Sequence, residues 1–206
     1  MNRNQRKILR IEEALYGPDG PFALEDSVVL GERIKVFANR ASSLRALIEA
    51  SSFFGEKEYI IYEDRRVTYA EHLRAVASVA KALQDKYGIG KGDRVYLFLP
   101  RIPELYIAMV GCAKIGAIIA PLYINYRESA VKERMLDGQG KVLITTAQYL
   151  TRVPTDELPD LEHIIITGEK TPDAGQGDVS WDAEMAKASE DLAIEWVDKE
   201  FPLFLI

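Results

Sequence analysis

The sequence predicts an α/β fold, a mainly parallel sheet flanked by helices with an N-terminal β-hairpin, and three observations lead there. Apolar runs at Val95–Leu99, Ala117–Leu122, Val142–Thr145, Ile164–Ile166 and Leu203–Ile206 lack the alternation of a half-exposed strand, so they suit strands buried on both faces. Helical segments at Pro103–Ile115, Glu128–Leu136 and Trp181–Ala188 fall among those runs, and a regular succession of strand, helix and strand implies right-handed crossovers. A long amphipathic helix with a chemically fixed start precedes them all.

Residues 1 to about 40 are mixed in character. Met1–Leu15 carries Arg3, Arg6, Lys7 and Arg10, then Glu12 and Glu13, without the apolar block of a secretion signal, and reads as a surface helix. Gly17-Pro18-Asp19-Gly20-Pro21 follows as a loop. Ser42 or Ser43 then caps a helix through Ala50. Tyr59–Tyr62 and Arg66-Val67, joined by the polar turn Glu63-Asp64-Arg65, form the predicted hairpin.

The long helix begins at Thr68, which with Glu71 makes a capping box: each side chain satisfies a backbone N–H that the first turn leaves free. Leu73, Val76, Ala77, Ala80, Leu83 and Tyr87 recur at helical spacing, and Gly88 ends the helix in the left-handed conformation. In the next helix Pro103 occupies the first turn, where its missing N–H costs nothing, and Glu104 sits near the positive end of the dipole. Its apolar content, with Gly111 and Gly116, predicts tight packing against the sheet. Residues 168–180, with Gly168, Pro172, Gly175 and Gly177, read as an exposed loop, and Phe201–Ile206 as a final buried strand.

Composition narrows the function. In 206 residues, 48% are hydrophobic and 28% charged, enough for a globular core. Lysine and arginine number 26 against 32 acids, a net charge of -6, so no global basic field attracts nucleic acid or anionic lipid. The longest apolar stretch, Leu105–Leu122, is interrupted by Lys114 and two glycines, so no membrane span is predicted. A single cysteine, Cys112, makes no internal disulfide and reads as core, in keeping with a cytoplasmic setting.

No local motif supplies catalysis. Gly88-Ile89-Gly90-Lys91-Gly92-Asp93 resembles a phosphate loop only superficially: Asp85 stands where the first glycine should, and Gly92 where Ser or Thr should follow the lysine. The segment also leaves a helix rather than entering one, so it reads as a turn. His72, His163 and Cys112 have no metal-ligand spacing, and Ser78, Ser129 and Ser189 have no nucleophile-elbow context. Packing or surface roles are expected for both histidines.

Five runs are specific jointly: Arg66-Val67-Thr68-Tyr69-Ala70-Glu71; Gly90-Lys91-Gly92-Asp93-Arg94-Val95; Leu99-Pro100-Arg101-Ile102-Pro103-Glu104-Leu105-Tyr106; Lys114-Ile115-Gly116-Ala117; and Lys141-Val142-Leu143-Ile144-Thr145-Thr146. In order and spacing they resemble the adenylate-forming superfamily, most nearly AMP-forming acyl-CoA synthetases of the acetate–CoA ligase type, over about Leu44–Ile206.

That resemblance implies a two-step reaction in a full-length enzyme: a carboxylate and ATP form acyl-AMP and pyrophosphate, and CoA then displaces AMP, with magnesium neutralising the phosphates. It implies the division 1–40 as an N-terminal helix and loop extension and 41–206 as the N-terminal α/β subdomain, incomplete because it stops before the ATP-binding loop. No catalytic residue carries over, and this stretch alone is expected to be inactive. The resemblance does imply cofactor-binding positions, for CoA alone. Arg152 lies near the family's phosphate-holding arginines, without reproducing their pair, and Asn125 and Tyr126 match a CoA-side loop whose glycines are absent here. A solvated surface arginine is the plainer reading of Arg152. Expected partners are a small carboxylic acid such as acetate, ATP, CoA, the remainder of the chain and, through exposed apolar surface, other copies. An aryl-CoA ligase, a peptide-synthetase adenylation domain and a stand-alone binding module remain alternatives.

Overall fold

The computed structural model describes residues 2–40, 43–168, 178–186, 195, 197–198 and 201–206. They divide into two compact units, Met1–Leu44 with Asp198–Glu200, and Arg45–Val197 with Phe201–Ile206.

The first unit holds helix α1 (Arg3–Tyr16) and a two-stranded antiparallel hairpin, β1 (Leu24–Val29) and β2 (Glu32–Phe37). Asn2 starts α1 with a capping box, its side chain accepting from the Gln5 amide while the Gln5 side chain accepts from the Asn2 amide. Tyr16, Phe22 and Phe37 join helix to hairpin, with ring centroids 6.1 Å and 6.0 Å apart. This hairpin is absent from the sequence prediction. Both its faces are largely exposed, which erases the period-2 signal, and its turn is Leu30-Gly31, with φ of +51° and +90°, rather than Asn-Gly.

The second unit opens with α2 (Leu44–Ala50) and a one-turn 3-10 helix at Ser51–Phe54, followed by a hairpin of β3 (Glu58–Tyr62) and β4 (Arg65–Thr68). Tyr62 pairs with Arg65, so the turn is two residues, Glu63-Asp64, rather than three. Helix α3 (Tyr69–Asp85) begins as its capping box requires: the Glu71 amide donates to Thr68 Oγ1, and the Thr68 amide donates to the Glu71 carboxylate. Gly88 takes φ of +61° just past its end, and the Ile89 amide returns to Leu83 O.

The remaining elements in chain order are β5 (Arg94–Phe98), α4 (Pro103–Lys114), β6 (Ile118–Pro121), α5 (Glu128–Gly138), β7 (Val142–Thr146), α6 (Ala147–Leu150), β8 (His163–Thr167), β9 (Asp178–Ser180) and α7 (Trp181–Met185). Strands pair in the order β6-β5-β7-β8-β9, parallel throughout. The α/β class is as expected. Residues 178–180 are strand rather than loop, an edge strand too short to carry a pattern, while 169–177 and Ala188 lie outside the described residues.

Alternate residues of β5 feed two cores. Val95 and Leu97 join α3, α4 and α7 through Val76, Leu83, Ala108, Cys112 and Trp181. Tyr96 and Phe98 join α5 and the segment after β7 through Val131, Met135, Val153 and Leu158. A sheet buried on both faces has no polar face to alternate with, hence the unbroken apolar runs. Gly111 packs more closely on α3 than on the sheet: a Cβ there would lie 3.1 Å from Val79 Cγ1.

Phe201–Ile206 departs from the expectation of a buried strand. Its amides and carbonyls bridge Ile119 in parallel, with Ile119 N donating to Leu203 O at 2.9 Å and Leu205 N donating to Ile119 O at 2.9 Å. It lies outside β6, and Phe204 and Leu205 are 39% and 41% exposed.

Polar groups inside the second core are matched. Tyr96 is 1% exposed, and its hydroxyl donates to Met135 O at 2.8 Å while accepting from Gly140 N at 3.0 Å. Burial pushes this phenol above its ordinary pKa. Arg94 completes the closure of α5, donating from Nε to Gly138 O and from Nη2 to Gln139 O. A Cβ on Gly138 would stand 2.5 Å from the Tyr96 hydroxyl, so the lock admits only glycine there without rearrangement. Tyr96→Phe leaves a buried carbonyl and amide unpaired and is expected to cost about 2–3 kcal/mol, read as a lower urea midpoint at unchanged slope.

Candidate functional site

The chain leaves β5 through α4 to reach β6 on one side, then returns through α5 to β7 on the other. Loops from β5 and β7 therefore part to opposite faces, opening a crevice at the carboxyl ends of the strands where ligands of open parallel sheets bind. Thr145, fully buried, closes its floor by donating from Oγ1 to Phe98 O at 3.0 Å.

Above that floor the structure gathers the three expected cofactor-binding residues. Thr146 accepts from the Tyr149 amide at 3.4 Å and starts α6, a single turn that aims Tyr149 and Arg152 back over β5. Phe98 and Tyr149 rings lie 5.1 Å apart. The Arg152 guanidinium sits 5.1 Å from the Phe98 centroid and 4.7 Å from that of Tyr149. Its Nη1 donates to Ile124 O at 2.7 Å and to Tyr126 O at 3.0 Å. Arg152 is thus a half-buried clamp on the loop after β6 and not a solvated surface arginine. Two aromatic faces desolvate it and two carbonyls fix it.

Asn125 lies between the clamped carbonyls, and its amide donates to the Tyr123 hydroxyl at 2.7 Å. Tyr126 meets Tyr123 edge-on at 5.5 Å and carries the Arg134 guanidinium of α5 over its ring at 4.3 Å. Among the described residues Arg152 Nε and Nη2 take no partner, so one edge of the guanidinium fork is free to bind an anion. A cleft of about 470 Å³ adjoins this loop, lined in part by Tyr126, Arg134, Tyr96 and Leu122.

Sequence reasoning missed Phe98, Tyr149, Thr145 and Arg134. The signal was slight: an aromatic residue at the end of β5 and another in the helical turn after β7, which meet only when β5 and β7 are known to be neighbours.

The other titratable candidates are structural. Gly90-Lys91-Gly92-Asp93 is the turn expected of it, with Gly92 at φ of +89° and the Gly90 amide donating to the Asp93 carboxylate at 3.0 Å. Burial opposes ionisation of Asp93, but that amide, the Lys141 ammonium 3.0 Å away and Arg94 hold its carboxyl below the ordinary value. His163 is half-buried beside Tyr87, their rings 4.9 Å apart. Cys112 is fully buried, and desolvation pushes its thiol up to about 12. His72 is 3% exposed, its ring tilted against that of Tyr59 at 4.8 Å, with no hydrogen-bond partner for Nδ1 among the described residues. Burial, then the positive Lys114, holds it down to about 4; Lys114 itself is buried and ion-paired with Glu49 at 2.8 Å.

With this geometry in view, comparison with known proteins decides the family. A profile described as AMP-binding enzyme matches residues 48–206. The chain belongs to the AMP-binding enzyme family. Acetyl-coenzyme A synthetase of Bacillus subtilis (strain 168) is 38% identical over 156 residues, covering 73% of this chain and 27% of that protein. The Penicillium chrysogenum acetyl-coenzyme A synthetase is 34% identical over 171 residues, covering 73% of this chain and 25% of that protein. The chain therefore spans about a quarter of the length of the curated relatives it matches.

Among solved structures, anthranilate CoA ligase AuaEII in complex with anthranoyl-AMP superposes with a TM-score of 0.71 at 21% identity, over 76% of this chain and 31% of that one. Coronafacic acid ligase from Pectobacterium brasiliense gives 0.71 at 17% identity, over 77% of this chain and 32% of that one. At such identities the likeness shows the fold, and the resemblance read from the five motifs is borne out. Among the described residues no helix is long and apolar enough to cross a membrane.

Arg152→Ala removes two charge-assisted hydrogen bonds and two ring contacts; a loss of about 2 kcal/mol is expected in urea denaturation, with Arg152→Lys recovering less than half. His72 supplies a pH signature. Its folded pKa of about 4 lies below the unfolded value near 6.5, so its neutral form favours folding. The histidine's contribution is complete above pH ~6.5 and is lost as pH falls towards about 4. His72→Phe is expected to flatten the fall in melting temperature between those pH values by the equivalent of roughly 2 kcal/mol.

Proposed function

We propose that this chain supplies the CoA-facing part of an AMP-forming acyl-CoA synthetase whose acid substrate is short, with acetate preferred. The observation that supports it most is 38% identity with acetyl-coenzyme A synthetase of Bacillus subtilis over 156 residues. In the reaction a carboxylate oxygen attacks the α-phosphorus of ATP, and the bond to pyrophosphate breaks. The CoA sulfur, as thiolate, then attacks the acyl carbon, and AMP leaves.

Within this chain the proposed work is binding. The free edge of Arg152 donates two parallel hydrogen bonds to a phosphate of CoA. Its clamped edge holds Asn125 and Tyr126 in the loop against which the nucleotide rests. Phe98 and Tyr149 keep water from the guanidinium and strengthen its field. The adenylation machinery is proposed to lie in the remainder of the enzyme, in line with the quarter-length match. Magnesium, when bound with ATP, would neutralise phosphate charge; among the described residues no cluster of His, Cys, Asp or Glu fits such an ion, so no step is assigned to it here. A cytoplasmic setting, where ATP, CoA and short acids are available, belongs to the same proposal.

Calorimetric titration of the purified 206-residue chain is expected to give binding heat with CoA and none with ATP and magnesium. Arg152→Ala should weaken CoA binding about tenfold or more, the scale of a lost charged hydrogen-bond pair. Acetate, ATP and magnesium should release pyrophosphate only at the background rate. Pyrophosphate release above background, or CoA affinity unchanged in a folded Arg152→Ala variant, would overturn the assignment.

A further inference from the structure

The first unit carries an amphipathic helix whose apolar stripe is largely exposed. Arg3, Arg6, Lys7 and Arg10 recur at i, i+3, i+4 and i+7, one continuous basic stripe of α1. Ile8, Ile11 and Leu15 recur at i, i+3 and i+7 beside it. No residue of α1 is buried, and Ile8, Leu9 and Ile11 are 55%, 49% and 48% exposed. Helices of this length normally draw their stability from burying such a stripe.

The hairpin of the same unit shows a second, independent sign. Its tip residue Leu30 is 78% exposed and sits at φ of +51°, a left-handed conformation in which Asn or Gly is less strained than a leucine. Val28 beside it is 61% exposed; Glu32 and Arg33 follow on β2, and Lys35 is ion-paired with Asp26 at 3.0 Å. A large apolar residue held in an unfavourable conformation at a loop tip suits insertion between lipid headgroups better than exposure to water.

Charge decides the partner. Residues 1–44 hold seven basic and six acidic side chains in a chain whose net charge is -6, and the first ten residues hold four basic side chains and no acidic one. Two copies meeting through α1 would oppose their basic stripes, whereas an anionic bilayer complements the stripe and takes the apolar side chains at its acyl boundary. We propose that α1, assisted by the Leu30 tip, docks this protein on the surface of an anionic phospholipid bilayer without spanning it.

Co-sedimentation of the full chain with unilamellar vesicles of phosphatidylcholine and phosphatidylserine at about 7:3, in about 0.1 M salt, tests this. Partitioning at least tenfold above that on pure phosphatidylcholine vesicles is expected, falling several-fold in about 0.5 M salt. Arg6→Gln with Arg10→Gln should remove the preference for the anionic lipid, Ile8→Glu with Ile11→Glu should abolish partitioning, and Leu30→Asn should weaken it. All three alter exposed side chains, so the charge and isoleucine variants should melt with the parent, and Leu30→Asn, relieved of its strained turn, at or above it. Equal partitioning on both vesicle types, or an Arg6→Gln, Arg10→Gln variant that partitions as the parent does, overturns the proposal. So does a dimer in light scattering that Ile8→Glu with Ile11→Glu dissolves while vesicles leave the chain in the supernatant, which would make a second copy the partner.

Discussion

Strand β5 is the member on which the second unit is hung. It pairs on one side with β6 and on the other with β7, and its alternate side chains are shared between two cores. Because the chain departs to one side and returns on the other, the carboxyl end of β5 is also where the loops part. The crevice, its Thr145 floor and the ring of Phe98 beneath Arg152 all follow from that one placement. The polar lock at the opposite end of β5, built from Arg94, Tyr96 and the close of α5, fixes the strand in register against the helix that crosses it.

Much of this framework is written locally. Thr68 with Glu71, Pro103 at a helix start and Gly88 past a helix end act within a few residues of themselves, and each appears in the structure where the sequence places it. The central strands are legible because burial on both faces leaves short runs of apolar residues without alternation. What escapes is structure whose pattern is diluted by exposure. The hairpin of β1 and β2 mixes Glu25, Asp26 and Ser27 with valines, and β9 is three residues long.

The site is legible to a different degree. Arg152, Asn125 and Tyr126 are marked by family likeness, yet what joins them is a guanidinium meeting two main-chain carbonyls 28 and 26 residues earlier. Backbone acceptors leave no trace in residue identity, so no side-chain pattern reports the clamp. The aromatic pair that flanks Arg152 comes from the end of β5 and from α6 just after β7, strands adjacent in space but separated in sequence by a strand and two helices. Burial then changes the meaning of the arginine, from a charge in solvent to a donor whose direction the fold fixes.

The order β6-β5-β7 also governs how the unit comes into being. Both neighbours of β5 are encoded after it, so as the chain is synthesised β5 and α3 emerge with neither edge of the strand satisfied. Pairing waits for α4 and β6, and the second edge closes only once Thr146 has cleared the ribosome. Parallel partners must each be reached by a helical crossover, and such non-local pairings form slowly. During that interval a strand of apolar side chains stands with open ladders on both sides, a template for pairing with other chains that the finished fold no longer offers.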